Sequence, residues 1–391
     1  MSEWNLKPLD EVVEHFIDYR GKTPNKTDSG IPLITAKIVK NGGLLAPFEF
    51  IAEDDYLEWM TRGFPEINDV VLTTEAPLGE VALIKDRHVA LAQRIITLRG
   101  YPDKLHNVFL KYWLQSEYGQ YELDSRASGT TVFGIKASVL KKMPVPVPPL
   151  PEQKAIADVL SALDDKIDLL QRQNETLEKM AETLFRQWFI EEAKEDWESK
   201  SVLDLVSLVG GGTPKTSVDS YWNGDIPWLS GGDIANSHKN FINYSQKMIT
   251  EEGLNNSSVK LLPKFSTVIT ARGTVGKVGL LAQPMTFSQS NYGVISKYKN
   301  SEIFTYLLIT YLVDELMAAA YGSVFDTITT RTFEELEFNF PSIEYIELFN
   351  NHVKSLFDKK LVNTQQIQTL QNLRDTLLPK LMSGEVRVKL D

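Results

Sequence analysis

PEQKAIADVLSALDDKIDLLQRQNETLEKMAETLFRQWF, residues Pro151–Phe189, decides how the rest of the chain is read. Ile156, Leu160, Leu163, Ile167, Leu170, Asn174, Leu177, Ala181, Leu184 and Trp188 recur at alternating spacings of four and three, and charged or amide side chains fill most other positions. Such alternation is the seam of a coiled-coil helix. A shift of 193 residues places the same ladder on Phe349, Val353, Leu356, Lys360, Asn363, Ile367, Leu370, Arg374, Leu377 and Leu381. This second copy is less complete, because two of its members are charged.

Outside the helices the chain repeats itself. Residues 1–150 and 197–343 each open with a tryptophan and an acidic-apolar stretch, Trp4 with LDEVVEHF and Trp197 with VLDLVSLV. A Gly-x-Thr-Pro turn follows in each, Gly21–Pro24 and Gly211–Pro214, then an Ile-Pro pair, Ile31-Pro32 and Ile226-Pro227. Next come two related strand-turn-strand patterns, DVVLTTEAPLGEVALI from Asp69 and TVITARGTVGKVGLL from Thr267. A glycine-led turn, Ser128-Gly129-Thr130-Thr131 or Gly322-Ser323, then leads to a strand and a proline directly before the long helix. Landmarks repeated in one order indicate duplication.

Period-two patterning with Gly and Pro punctuation marks each copy as mainly β-structure. VFLKYWLQSEYGQY from Val108 and IFTYLLITYLVDEL from Ile303 read as buried helices. The fold class expected is α+β: β-rich domain 1–150, spacer helix 151–190, β-rich domain 197–343, and a second spacer helix with a C-terminal tail over 344–391. A helix of this length spans about 50 Å, while only Ile190–Trp197 join it to the second domain. Antiparallel packing of the helices about an approximate two-fold axis closes this layout most simply. Matching helix midpoints sets Asn174 opposite Asn363 and Leu170 opposite Ile367, so that two amides satisfy one another in an apolar seam.

The 391 residues suit two or three domains, and 42% hydrophobic with 24% charged residues is globular. Without cysteine, disulfides and thiolate metal sites are excluded, which fits a reducing cytosol. No leader-like N-terminus or long apolar run is seen, so a cytoplasmic chain is expected. The net charge of −11 opposes a polyanionic partner, but acidic residues concentrate in the helices and in EEAKED before Trp197, leaving room for basic patches.

At PPLPEQKAIADVLSALDDKI and the aromatic exit LFRQWF, the sequence resembles the specificity subunit of type I restriction-modification systems. The Gly-x-Thr-Pro turns, TVITARGTVGKVG and the C-terminal LRDTLLPKLMSGEVRV carry the same resemblance across essentially the whole chain. It implies two target recognition domains, each reading one half of a bipartite double-stranded DNA target. It implies helices that set the spacing and dock two methyltransferase subunits, with restriction-translocase subunits joining the larger complex. It implies no catalysis by this chain, with S-adenosylmethionine, ATP and Mg held by the partner subunits. One departure is PSIEYIELFNN, which lacks the usual Pro-Glu-Gln at the start of the second helix.

Loops on a rigid scaffold are where bases are read. In the second domain Arg272 and Lys277 flank Gly273 and Gly276, offering cations on backbone able to approach DNA. The aligned first-domain loop has Glu75 and Glu80, and a carboxylate there suits a cytosine amino group rather than a phosphate. Lys22, Thr23, Thr213 and Lys215 of the Thr-Pro turns are further DNA-binding candidates, alongside a purely structural corner. Lys37, Lys40, Arg62, Arg94, Arg126 and Lys136 complete the first-domain set, and Ser230, Lys239, Asn291 and Arg331 the second, each against the plain reading of a solvated side chain. Phe185 and Phe189 are expected to face a docked partner or the second domain, while Leu184 and Trp188 stay in the seam.

Catalytic constellations fail. In GGGTPKTS, Pro214 replaces the glycine that a phosphate loop needs before its lysine. The five histidines show no metal-ligand spacing. A metal-dependent nuclease and a pure protein-interaction scaffold remain the rival classes.

Overall fold

The computed structural model describes residues 4–129, 133–321 and 327–389. Thr130, Thr131, Gly322 and Ser323 of the glycine-led turns lie outside them. The chain divides into two compact units, Met1–Asp165 with Gln371–Asp391, and Lys166–Leu370. Each unit thus takes a part of both long helices, Leu150–Arg186 and Ile343–Ser383, where the sequence suggested separate spacers.

In the N-terminal unit the main sheet is antiparallel, in the order Val13–Asp18, Ile95–Gly100, Val70–Thr74, Leu78–Leu83. Beside it, Ile31–Ile34 pairs in parallel with Ala90–Leu91. Asn5–Pro8 pairs with Pro144–Val147 and so ties the chain start to the residues before the helix. The C-terminal unit repeats the plan: Val206–Gly210, Asn291–Ser296, Thr267–Thr270, Val278–Leu281, with Phe241–Ile242 added at the edge. Trp222–Leu229 runs parallel to Thr286–Phe287, and Glu198–Ser201 pairs with Glu337–Phe340. The two copies have one topology.

The central strands read as unbroken apolar runs because both faces are covered; every residue of Val70–Thr74 is buried. One face carries the helix Asn107–Gln115, which buries Phe109, Leu110, Tyr112, Trp113 and Leu114. Its counterpart Glu302–Tyr311 is buried from Ile303 to Thr310. The expected single helix over 108–121 breaks at Ser116, whose Oγ accepts from Gly119 N at 3.3 Å and caps a new helix, Glu117–Arg126. Gly119 is needed there, since a Cβ would sit 2.1 Å from Trp113 O.

Within the N-terminal unit Ile156 and Leu160 of the first long helix join one core cluster with Leu377, Leu381 and Met382 of the second; Leu163 is half-buried. Within the C-terminal unit Ile167 and Leu170 pack with Ile367 and Leu370. Next along, Asn363 Nδ2 donates to Asn174 Oδ1 at 3.0 Å, and Asn174 Nδ2 donates to Thr364 Oγ1 at 3.3 Å. Contacts that climb one helix descend the other, so these segments are antiparallel.

Beyond Asn174 the buried stripe keeps Ala181 but leaves the other expected positions. Leu177, Leu184 and Trp188 are half-buried, while Glu178, Ala181, Phe185 and Phe189 are buried. A strict 3.5-residue repeat drifts about 20° per heptad against a straight helix, and here the drift has advanced the stripe by one residue. On the second helix Phe349 and Val353 are buried as expected, but Phe357 replaces the half-buried Leu356. Of the two roles expected for Phe185 and Phe189, docking of a partner is corrected and packing on the second domain holds, since each is 1% exposed. Phe185 packs on Phe304, Tyr311, Phe338 and Phe349, and Phe189 on Trp197, Phe304, Tyr345 and Phe349. Neither ring offers a surface to another molecule.

The two charged seam members are ion-pair partners rather than defects. In the N-terminal unit Asp164 Oδ1 accepts from Arg374 Nη1 at 3.0 Å; its Oδ2 accepts from Lys111 Nζ at 3.0 Å and Tyr112 Oη at 2.7 Å. In the C-terminal unit Lys360 Nζ pairs with Glu178 Oε2 and donates to Lys239 O at 3.1 Å, while Glu178 Oε1 accepts from Tyr306 Oη at 2.6 Å. Each β-rich domain thus sends a buried helix side chain to a carboxylate of the first long helix.

Burial alone would raise the Asp164 carboxyl, yet Lys111, Tyr112 and Arg374 outweigh it and hold the group below its ordinary value of 3.8. A carboxyl depressed by folding adds stability above its unfolded value and loses it as pH falls through the folded one. Asp164→Asn is expected to cost about 2–3 kcal/mol at neutral pH, as for charge-assisted hydrogen bonds. In denaturant melts that gap should close as the pH falls below 3.8. A gap that stays constant down to complete acid unfolding would show that the charge is not what stabilises.

Candidate nucleic-acid interface

One end of the main sheet gathers the same loops in both units: the turn after the first strand, the hairpin after the third, and the segment leading into the second. The hydrogen bonds that fix them correspond one by one. Thr74 N donates to Arg94 O at 2.9 Å, as Ala271 N does to Ser290 O at 2.9 Å. Ile135 N donates to Thr74 O at 3.0 Å, and Ile328 N to Ala271 O at 3.1 Å. Inside the hairpins Glu80 N donates to Thr73 Oγ1 at 2.9 Å, and Lys277 N to Thr270 Oγ1 at 2.8 Å. Glu75, Glu80 and Arg94 of one unit therefore occupy the places of Arg272, Lys277 and Ser290 in the other. A shared scaffold carries the half-buried carboxylates Glu75 and Glu80 in one unit where the other has the exposed Arg272 and the half-buried Lys277.

The hairpin Arg272–Lys277 turns through Gly273 at φ +76° and Gly276 at φ +80°, conformations that favour glycine. A Cβ on Gly276 would also lie 2.5 Å from Met317 Sδ, so this backbone seats directly on the helix beneath it. His238 Nδ1 accepts from Val278 N at 3.1 Å at the hairpin base. Burial first, then Lys277, lowers the pKa of that ring below the usual histidine range, which keeps the nitrogen an acceptor at neutral pH.

Of the cations chosen from sequence, Lys22, Lys136, Lys215, Arg272 and Lys277 make no side-chain hydrogen bond or ion pair among the described residues; all but the half-buried Lys277 are exposed. Thr23 is exposed but lines a small cleft with Trp59 and the carboxylates of Asp55 and Glu58, which repel a phosphate. Thr213 is half-buried beside the buried Pro214, which suits a structural corner.

Other candidates have tasks inside the fold. Lys37 lies 3.0 Å from Glu49, which Lys26 also binds at 2.9 Å. Lys40 is 3.9 Å from Glu80, whose Oε2 accepts from Asn41 N at 2.9 Å. The Arg62 guanidinium donates to Asp18 O and to Arg20 O and lies over the Tyr19 ring, closing the end of a strand. Arg126 pairs with Glu122 at 2.5 Å, and Arg331 with Glu335 at 2.8 Å. Three further choices have partners within the fold, and burial corrects the first. Asn291 is 1% exposed and donates to Ser288 Oγ at 2.7 Å, so it sits within the sheet rather than at its rim. The Ser230 hydroxyl forms a reciprocal cap with Asp233. Lys239 pairs with Glu182 of the first long helix at 2.6 Å and belongs to the helix junction. Ser290 was missed, although aligning the strand Asn291–Ser296 with Ile95–Gly100 places it opposite Arg94. Among the described residues no group of His, Cys, Asp and Glu is placed to hold a metal, and no single helix is long and apolar enough to cross a membrane.

The family model described as the type I restriction modification DNA specificity domain matches residues 1–179 and again 194–372. The type I restriction enzyme MjaIX specificity subunit of Methanocaldococcus jannaschii is 26% identical over 428 aligned positions, covering 99% of this chain and 94% of that protein. The HindI specificity subunit of Haemophilus influenzae is 25% identical over 349 positions, covering 69% and 74%. The crystal structure of a type I restriction-modification S subunit from M. genitalium superposes with a TM-score of 0.61 at 17% identity, covering 97% of this chain and 96% of that one, a likeness of fold.

Proposed function

Because the chain belongs to the family of type I restriction-modification DNA specificity subunits, we propose that it recognises duplex DNA for such a complex, each β-rich domain reading one half of a bipartite target. The observation that carries this reading is the pair of sheet ends whose loops are fixed by corresponding hydrogen bonds and yet carry different charged side chains. Specificity that varies on a constant frame requires that combination. The long helices set the spacing between the two reads and dock two methyltransferase subunits, through which a restriction-translocase subunit joins. An open groove of about 440 Å³ in the C-terminal unit supports docking; Leu169, Arg172, Gln173, Thr176, Leu177 and Lys359 line it. The chain itself is non-catalytic and works in the cytoplasm, and S-adenosylmethionine, ATP and Mg belong to the partner subunits.

In this account Arg272 and Lys277 neutralise phosphates. Replacing both with Ala in the full chain should weaken binding to all duplexes alike. It should also reduce the slope of log affinity against log salt by about 2, since each phosphate contact contributes about 0.9. Equal affinity and equal slope for variant and parent, measured by fluorescence anisotropy, would remove the hairpin from the interface.

A further inference from the structure

We propose that Arg94, held by Glu75, reads a guanine through its O6 and N7 in the major groove. This rests on the reading above, that the sheet ends face duplex DNA. Arg94 stands where the chain enters the strand Ile95–Gly100, at φ +70°, and its carbonyl accepts from Thr74 N at 2.9 Å. Its Cα is therefore fixed on the sheet. Glu75 Oε1 lies 3.2 Å from Nε of the guanidinium as its ion-pair partner, and among the described residues the two terminal amino groups have no partner. The side chains are 55% and 35% exposed, so the fork is braced from behind and open in front. Glu75 is in turn positioned by Gly134, with which its backbone bridges; a Cβ on Gly134 would come within 2.9 Å of Glu75 Cβ.

Three other arginines of this unit spend their terminal nitrogens internally. Arg99 binds Asp69, Glu66 and Phe64 O, Arg62 binds Asp18 O and Arg20 O, and Arg20 binds Ile135 O. Charge also separates Arg94 from Arg272. An arginine neutralised by its own carboxylate is a weak anchor for phosphate, whose attraction depends on net charge. It keeps the planar pair of N–H donors that matches the guanine edge. Ser290 in the corresponding place of the other unit has no such fork, so the two halves of the target differ here.

The experiment is selection of binding sites from a random-sequence duplex library by the full chain, its Arg94→Lys variant and its Arg94→Gly variant, glycine being tolerant of the positive φ. The parent should yield a consensus with a guanine in one half-target. Both variants should lose preference at that position and keep every other. Placing 7-deazaguanine there should weaken the parent about 10-fold and the glycine variant less than about 2-fold, because one acceptor of the bidentate pair is gone. Variants that select the parent consensus at unchanged affinity, or that weaken every sequence equally, overturn the role of Arg94 and leave the recognition reading standing. A parent that selects no consensus at all overturns both.

Discussion

Lys360→Ala is expected to destabilise the C-terminal unit by about 3–5 kcal/mol, the loss typical when one partner of a buried ion pair is removed. Lys360 and Glu178 side chains are 1% and 6% exposed, so loss of the ammonium would leave a buried carboxylate without its cation. The carboxylate would keep only Tyr306 Oη. Replacing the group as a whole, with Glu178→Leu, Lys360→Met and Tyr306→Phe together, should recover most of the loss, because an apolar core of equal volume does not need the charges. Urea melts of the single and triple variants decide the matter. A single variant within about 0.5 kcal/mol of the parent, the range of ordinary surface changes, would mean that water reaches this pair.

Phe185→Ala should cost a comparable amount, about 3–5 kcal/mol as for deletion of a buried phenyl ring. Four described rings outside the first helix surround Phe185, and Phe189 lies 5.0 Å away by centroid. Leu184→Ala, one residue away on the half-buried side, should cost about 1 kcal/mol, an average mutational effect. If Phe185 instead formed a partner surface, its removal would leave the melt unchanged and reduce partner binding alone. The comparison of the two alanine variants therefore tests the displaced phase of the helix stripe.

That phase marks where the sequence stopped being legible. Duplication, the antiparallel Asn174–Asn363 pair and the buried helices over Asn107–Gln115 and Glu302–Tyr311 were readable, because repeated landmarks and apolar density survive without coordinates. A strict heptad count ignores the drift of a straight helix and assigned the buried face to Leu184 and Trp188 instead of Phe185 and Phe189. Glu178 was invisible for a related reason: a charge beside a seam reads as solvated until its cation is found on another segment. Among the interface candidates the cations Lys22, Lys136, Lys215, Arg272 and Lys277 remained unpaired among the described residues, whereas Lys239 was claimed by a carboxylate distant in sequence and Asn291 by burial and the nearby Ser288. Spacing says which residues reach a sheet end. It does not say which of them find a partner on the way.

The claim on which everything turns is that two copies of one reader meet two separate stretches of DNA. Footprinting the full chain on duplexes recovered from random sequence tests it most directly. The account predicts two protected, sequence-constrained blocks at a constant separation, with Arg272→Ala and Lys277→Ala reducing protection over one block and sparing the other. A single continuous block, or protection independent of sequence, would contradict it.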